Sequence, residues 1–429
     1  STGIFNTCAV LDDTTLKCWG YGALGLGNSS SIIDTPQAVD IGVGNAVAVN
    51  SAGSGSQSHT CAILAAPSIG YSINTSGDRG PTSTYESTMM CWGAINGNGW
   101  PNNQGLYTQN YPVSRSESNV LSIIAIDKGS EHTCIILYNN SLICFGGQNS
   151  GLMGNGLSSS NIFTLSDSLE NPVNMGLNRN TLAVSTGSGH TCAIDDIAQL
   201  KCWGSNGNGQ LGTGNTTEHW TPKLIDLGPG RHMALSERDR DDDGILNIFD
   251  THMNSSGVLS TGSGHTCSVL DNYSLSCWGR DLYDQLGNGG ANNNSNTPVY
   301  SSFPSEIKIS SVSAGNWHTC ALLDTGFVYC WGSNQEGALG NSSIGSYSTI
   351  PIPVDLPAGR TATSISLGHQ HTCAVLDNGS AYCWGDNGFG QLGDGTTTNS
   401  ASLIDISSLR GSNTIVEIAT GGAHSAALL

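Results

Sequence analysis

The chain is short of charge, and shortest of positive charge. Lys and Arg total 14 of 429 residues against 33 Asp and Glu, which leaves a formal net charge of −19. A protein that neutralises nucleic-acid phosphates needs a basic face. Nucleic acid is therefore excluded as a partner, and anionic membrane surfaces are disfavoured for the same reason. Long apolar runs are also missing, so no transmembrane helix or membrane insertion is expected. No segment sustains helical periodicity. Cysteines separated by two to four residues, the usual zinc spacing, do not occur. Neither a Gly-x-Ser-x-Gly elbow nor a His-Glu-x-x-His motif is present, and no catalytic set emerges.

Glycine and cysteine are what the chain has, 57 and 14 of them. Six cysteine pairs share one spacing of ten positions: Cys8 and Cys18, Cys134 and Cys144, Cys192 and Cys202, Cys267 and Cys277, Cys320 and Cys330, Cys373 and Cys383. A seventh pair, Cys61 and Cys91, is stretched by an insertion. One copy reads His190-Thr191-Cys192-Ala193-Ile194, a polar turn, then Leu200-Lys201-Cys202-Trp203-Gly204. Two short strands about an Asp-, Asn- or Gly-bearing turn make a β-hairpin. Folding it sets the two cysteines opposite each other, within disulfide reach. Seven hairpin disulfides place the chain outside a reducing cytosol, as an extracellular or cell-surface protein.

The first cysteines stand at 8, 61, 134, 192, 267, 320 and 373, so the steps are 53, 73, 58, 75, 53 and 53. A 53-residue unit recurs with insertions. One more step lands on Ala426, inside His424-Ser425-Ala426-Ala427-Leu428, the same strand without its cysteine. There are thus seven full hairpins and an eighth half-copy. Each unit also carries an alternating apolar segment, such as Ile307 to Val312, before the hairpin. A glycine-rich turn follows it, as in Gly204 to Gly212, and then a strand containing proline, as in Pro298-Val299-Tyr300. Four short strands per unit is the signature of an all-β β-propeller.

The Gly-x-x-His-Thr-x-Ala-Leu strand, the x-Trp-Gly strand and the Asn-x-x-Gly-Gln-Leu-Gly turn resemble the regulator of chromosome condensation repeat family. The resemblance covers essentially the whole chain. It implies a seven-bladed propeller, here of a secreted branch with one hairpin disulfide per blade. Family members include exchange factors, light receptors and inhibitors, so the fold does not carry the function. Residues 1–429 are expected to form one propeller, with 414–429 closing the ring against the N-terminus by supplying the innermost strand that blade one lacks. The strand His424 to Leu429 would then be surplus, free to fray, cover an edge or pair with another subunit. The opening Ser1-Thr2-Gly3 lies inside a repeat, which suggests a product already trimmed of a signal peptide.

One segment stands outside the repeat. Within an insertion at 237–252, Asp239, Asp241 and Asp243 precede Gly244, and Ile245, Asn247 and Asp250 follow at the positions of a twelve-residue calcium loop. The spacing resembles the calcium loops of dockerin and thrombospondin type-3 repeats, with Asp250 where an EF-hand has Glu. Calcium is the expected cofactor, stiffening a loop. The histidines two positions before each cysteine are expected to bond neighbouring backbone, and the tryptophans after the second cysteine to pack between blades. Asn-x-Ser/Thr sequons, as at Asn139, Asn272 and Asn378, occur near chance frequency. Two irregular stretches carry aromatics suited to recognition: the long hairpin loop with Tyr71 and Tyr85, and the segment with Trp100, Tyr107 and Tyr111. The expected role is a non-catalytic structural protein that self-associates into a surface or filamentous assembly. The alternatives are a module binding an extracellular protein or glycan and, more remotely, a polysaccharide-acting enzyme, which would need two carboxylates at hydrolase separation.

Overall fold

The computed structural model describes residues 6–10, 15–20, 24, 26, 33–40, 45–52, 59–65, 71–73, 79–81, 87–93, 109–114, 123–128, 132–137, 139–147, 149–157, 170–234, 257–290, 293–407, 414–415 and 417–428. Their regular structure is almost entirely β-strand, and the sheets follow the repeat. Blade four is typical: Thr181–Thr186, His190–Asp195, Leu200–Gly204 and His219–Leu224 pair in chain order, all antiparallel. Blades five, six and seven repeat it, from Leu259–Thr261 to Ser295–Tyr300, Ile309–Ala314 to Tyr347–Pro353 and Ala362–Leu367 to Ser400–Asp405. Blade two has the same four strands, Asn45–Ala52, His59–Ala65, Ser87–Gly93 and Gln109–Ser114. Its long loop adds a small hairpin of its own, Tyr71–Ile73 with Arg79–Pro81. Three strands are described for blade one (Asn6–Val10, Leu16–Gly20, Ile33–Ala38) and three for blade three (Ile123–Lys128, His132–Leu137, Leu142–Gly146).

The hairpin register is what the cysteine spacing requires. Cys192 stands opposite Cys202, and the same pairing recurs in all seven blades. Six disulfides close within their own hairpins across Cα separations of 4.1 Å. Cys61 is also disulfide-bonded. The hairpin turns explain three of the sequons. Asn139, Asn272 and Asn378 each accept through Oδ1 both the backbone N–H of the serine two residues on, at 3.0, 3.2 and 3.1 Å, and its hydroxyl, at 2.6, 2.7 and 2.6 Å. Asn-x-Ser here is turn chemistry.

The apolar core lies between blades. One cluster joins Ile194, Leu200 and Leu211 of blade four to Leu259, Leu270 and Trp278 of blade five. Another joins Leu275 and Leu286 of blade five to Val312, Ala321 and Trp331 of blade six. The last packs Val375, Ala381 and Leu392 of blade seven on Ile415 and Ile418. Those two isoleucines belong to the C-terminal segment, where Glu417–Thr420 pairs with Ser425–Leu428. This hairpin thus docks on blade seven as a further blade would, and its last strand lies beside Asn6–Val10. Among the described ladders Glu417–Thr420 pairs with its own hairpin partner, and a direct ladder from it to blade one is not among them.

Candidate functional site

In blades three to six the histidine of the unit is buried and reaches across to the next blade. His132, His190, His265 and His318 place Nε2 at 2.6, 2.9, 2.9 and 2.9 Å from the hydroxyls of Thr191, Thr266, Thr319 and Thr372. The last three threonines in turn donate to the carbonyls of Gln210, Gln285 and Ala338, at 3.0, 2.9 and 3.0 Å. A hydroxyl has one hydrogen to give, so the histidine must be the donor and Nε2 must carry the proton. The same carbonyls accept Nε1–H of Trp278, Trp331 and Trp384 at 2.8–2.9 Å. In blades four, five and six, one backbone oxygen of the glycine-rich turn therefore holds both a threonine and a tryptophan of the next blade. The sequence expectation that the histidines bond backbone is corrected: their partner is a side chain on the neighbouring blade. Each of those threonines directly follows the histidine of its own unit, and this His-Thr pair, present in six copies, is the sequence signal for them.

Burial keeps these imidazoles neutral. It lowers the pKa of His132, His265, His318 and His371 to about 3 and that of His190 to about 4, with nearby histidines adding to the effect for all but His190. Glycine makes room for them. A Cβ at Gly262 would stand 2.5 Å from both the Gly315 carbonyl and His265 Cε1. The turn glycines serve the tryptophans: Gly212, at φ +73, lies where a Cβ would meet Trp278 Nε1 at 2.8 Å. The C-terminal hairpin uses the same clasp, with His371 Nε2 at 3.0 Å from Ser425 Oγ and Ser366 Oγ at 2.9 Å from Thr420 Oγ1.

Strands alternate in direction, so the Gly-x-x-His loops and the glycine-rich turns lie at the same end of the sheets and form one face. Backbone bonds tie them, as from Ser333 N to Trp317 O at 2.9 Å. On this face Tyr283 of blade five stacks on Trp317 of blade six, centroids 4.9 Å apart at 12°, and the Arg280 guanidinium lies 6.0 Å from the same indole. Leu282 and Phe389 are exposed on the glycine-rich turns of blades five and seven. Asp281, at the foot of the Tyr283 turn, is buried, and burial first, then the nearby Asp284 carboxyl, pushes its pKa up to about 6 against the Leu286 N–H bond.

Most of the metal and recognition residues singled out from sequence lie outside the described residues. Asp239, Asp241, Asp243, Ile245, Asn247 and Asp250 lie outside the described residues, as do Tyr85, Trp100 and Tyr107. Tyr71 lies in the small added hairpin and Tyr111 in the fourth strand of blade two.

Models of the regulator of chromosome condensation (RCC1) repeat match residues 200–235, 275–322, 325–375 and 378–428, and a second model of the same repeat matches 182–210, 309–338 and 362–391. The chain belongs to the RCC1 repeat family. Its relatives include the ultraviolet-B receptor UVR8 of Arabidopsis thaliana, 25% identical over 320 residues, covering 74% of this chain and 65% of the receptor. The E3 ubiquitin-protein ligase HERC2 of Homo sapiens is 26% identical over 277 residues, 57% of this chain but 6% of the ligase. The chain spans from 6% to 65% of the length of these RCC1-repeat relatives. Two solved structures share the fold. Human WBSCR16 gives a TM-score of 0.69 at 16% identity, covering 96% of this chain and 99% of that one. Prp20p of Saccharomyces cerevisiae gives 0.67 at 17%, covering 99% and 92%. The RCC1 propeller is therefore established, and its hairpin disulfides point to an oxidising environment.

Proposed function

We propose that this RCC1-repeat propeller is a non-catalytic extracellular structural protein, a subunit that self-associates into a cell-surface or filamentous assembly. The observation that carries the reading is the C-terminal hairpin. It engages blade seven through the His371–Ser425 and Ser366–Thr420 bonds used between full blades. Its last strand, Ser425–Leu428, has one ladder partner among the described strands and lies beside Asn6–Val10 of blade one without a described ladder to it. A strand edge of that kind is a template for another chain, and head-to-tail contacts that do not close give filaments. Stapled hairpins and a low charge density suit a durable extracellular particle. Calcium at Asp239, Asp241, Asp243, Ile245, Asn247 and Asp250 would stiffen the insertion of blade five. Light scattering and electron microscopy of the native protein test the reading, with a variant truncated after residue 413 as the comparison. Assembly that disappears with the hairpin supports it; a strictly monomeric particle at high concentration overturns it.

A second reading, recognition of an extracellular protein or glycan, is favoured by one feature. Tyr283, Trp317 and Arg280 form an aromatic shelf on one face, and rigid aromatic surface of this kind is what recognition sites use. Trp317→Ala should then abolish binding while leaving assembly intact.

A further inference from the structure

Blade five departs from its siblings at one turn. In blades four, six and seven that turn opens on Asn206, Asn334 and Asn387. Each Oδ1 accepts the backbone N–H of the leucine five residues on, at 3.0, 3.0 and 2.9 Å. Each Nδ2 donates into backbone carbonyls of its own turn: Asn215 and Thr217 both at 2.9 Å, Gly345 at 2.9 and Ile344 at 3.3 Å, Thr396 at 3.1 and Thr398 at 3.2 Å. The space around Nδ2 is walled by acceptors. In blade five the residue is Asp281. Its Oδ1 keeps the sibling role and accepts Leu286 N–H at 2.9 Å. Its Oδ2 takes the place of the donor, is buried, and has no hydrogen-bond partner. The residue is 1% exposed.

A second change lies three residues on. Gly209, Gly337 and Gly390 hold the turn at φ 80, 85 and 79°, and blade five has Asp284 there, at φ 60° and also 1% exposed. An asparagine and a glycine have thus been exchanged for two carboxylates inside a buried turn. A buried carboxylate is tolerated when a charge or a donor compensates it, and among the described residues no Lys or Arg pairs with Asp281.

We propose that the glycine-rich turn of blade five binds a hard divalent cation, calcium in type, through Asp281 and Asp284. The cation replaces the hydrogen-bond donor that asparagine supplies in the sibling blades. Carboxylate and carbonyl oxygens are the ligand set such a cation takes, at about 2.3–2.6 Å. Occupancy would also set the position of Tyr283, which lies between the two aspartates and stacks on Trp317. The proposed ligands are separate in sequence from the acidic run at 239–250.

Terbium is the probe, because Tyr283 and Trp317 beside the site can sensitise its emission. The titration uses the full chain carrying Asp239→Asn and Asp241→Asn, so that the acidic insertion does not contribute. Terbium is expected to bind with a stoichiometry of one, give sensitised emission, and be displaced by calcium. Adding Asp281→Asn should remove at least nine-tenths of that emission and abolish the calcium-dependent rise in melting temperature. Asp281→Asn with Asp284→Gly restores the sibling residues, so both variants should fold, which circular dichroism checks. Equal terbium emission with and without Asp281→Asn overturns the proposal. So does a parent whose melting temperature responds to acid but not to calcium, since that result would mean Asp281 is held as a protonated acid.

Discussion

Acidification should unfold this propeller through its buried histidines. Five of them, His132, His190, His265, His318 and His371, have pKa values of about 3 to 4 in the fold against 6.5 in an open chain. Above pH 6.5 both states leave them neutral, and their contribution to stability is fully present. Between about pH 6.5 and 4 the unfolded chain binds five protons that the folded chain refuses. Stability then falls by about 7 kcal/mol per pH unit, from roughly 1.4 kcal/mol per unit for each histidine. Over one and a half units the loss is about 10 kcal/mol, similar to the whole stability of an ordinary domain. Asp281, with its pKa raised to about 6, works in the opposite direction, but as one proton against five. Urea unfolding at a series of pH values measures the slope, followed by the fluorescence of the buried Trp203, Trp278, Trp331 and Trp384. His265→Gln keeps an N–H donor for Thr319 without a titrating ring and should lower the slope by about one-fifth. Stability that stays flat from pH 7 to 4.5, or a slope unchanged in His265→Gln, would refute the clasp as described.

Three further outcomes follow from the packing. Thr319→Val leaves Nε2–H of His265 buried without its acceptor and should cost about 1–3 kcal/mol in thermal or urea unfolding, whereas Thr319→Ser restores most of it. Gly262→Ala pushes a methyl against the Gly315 carbonyl and the His265 ring, and circular dichroism melts should show a loss of several kcal/mol, about 3 or more. Removing the Cys320–Cys330 bridge by a double alanine substitution should cost about 2–3 kcal/mol for its short loop, and peptide mapping of unreduced protein should link each cysteine to its own hairpin partner.

Much of the molecule could be read along the chain, because its repeat is written in local chemistry. A cysteine ten residues from its partner across an Asx turn has one sensible register, and Cys192 opposite Cys202 is that register. The tryptophan after the second cysteine reads as packing between blades, and Trp278 is buried against blade four. The clasp was harder to see. His190 and Thr266 are 76 residues apart, and no local pattern tells which strand of which unit a histidine will face. The partner of a side chain across a blade boundary depends on the angle between sheets, which the sequence does not display.

The same limit governs Asp281. Taken singly, an aspartate in a glycine-rich turn looks like one more solvated turn residue. Its meaning comes from burial, and from the unfilled place of an asparagine that three sibling turns show occupied. The aromatic pair of Tyr283 and Trp317 likewise forms across two units, from residues that are unremarkable in their own strands.

Sequence alone determined the hairpins, their disulfides, the repeat and hence the propeller, since each rests on contacts within some fifty residues of chain. Tertiary structure decided which blade grips which, where the C-terminal hairpin docks, and which acid is buried without a partner. Those depend on surfaces that meet only when successive sheets stack, and burial, which sets the charge state of every histidine in the clasp, exists only after they have done so.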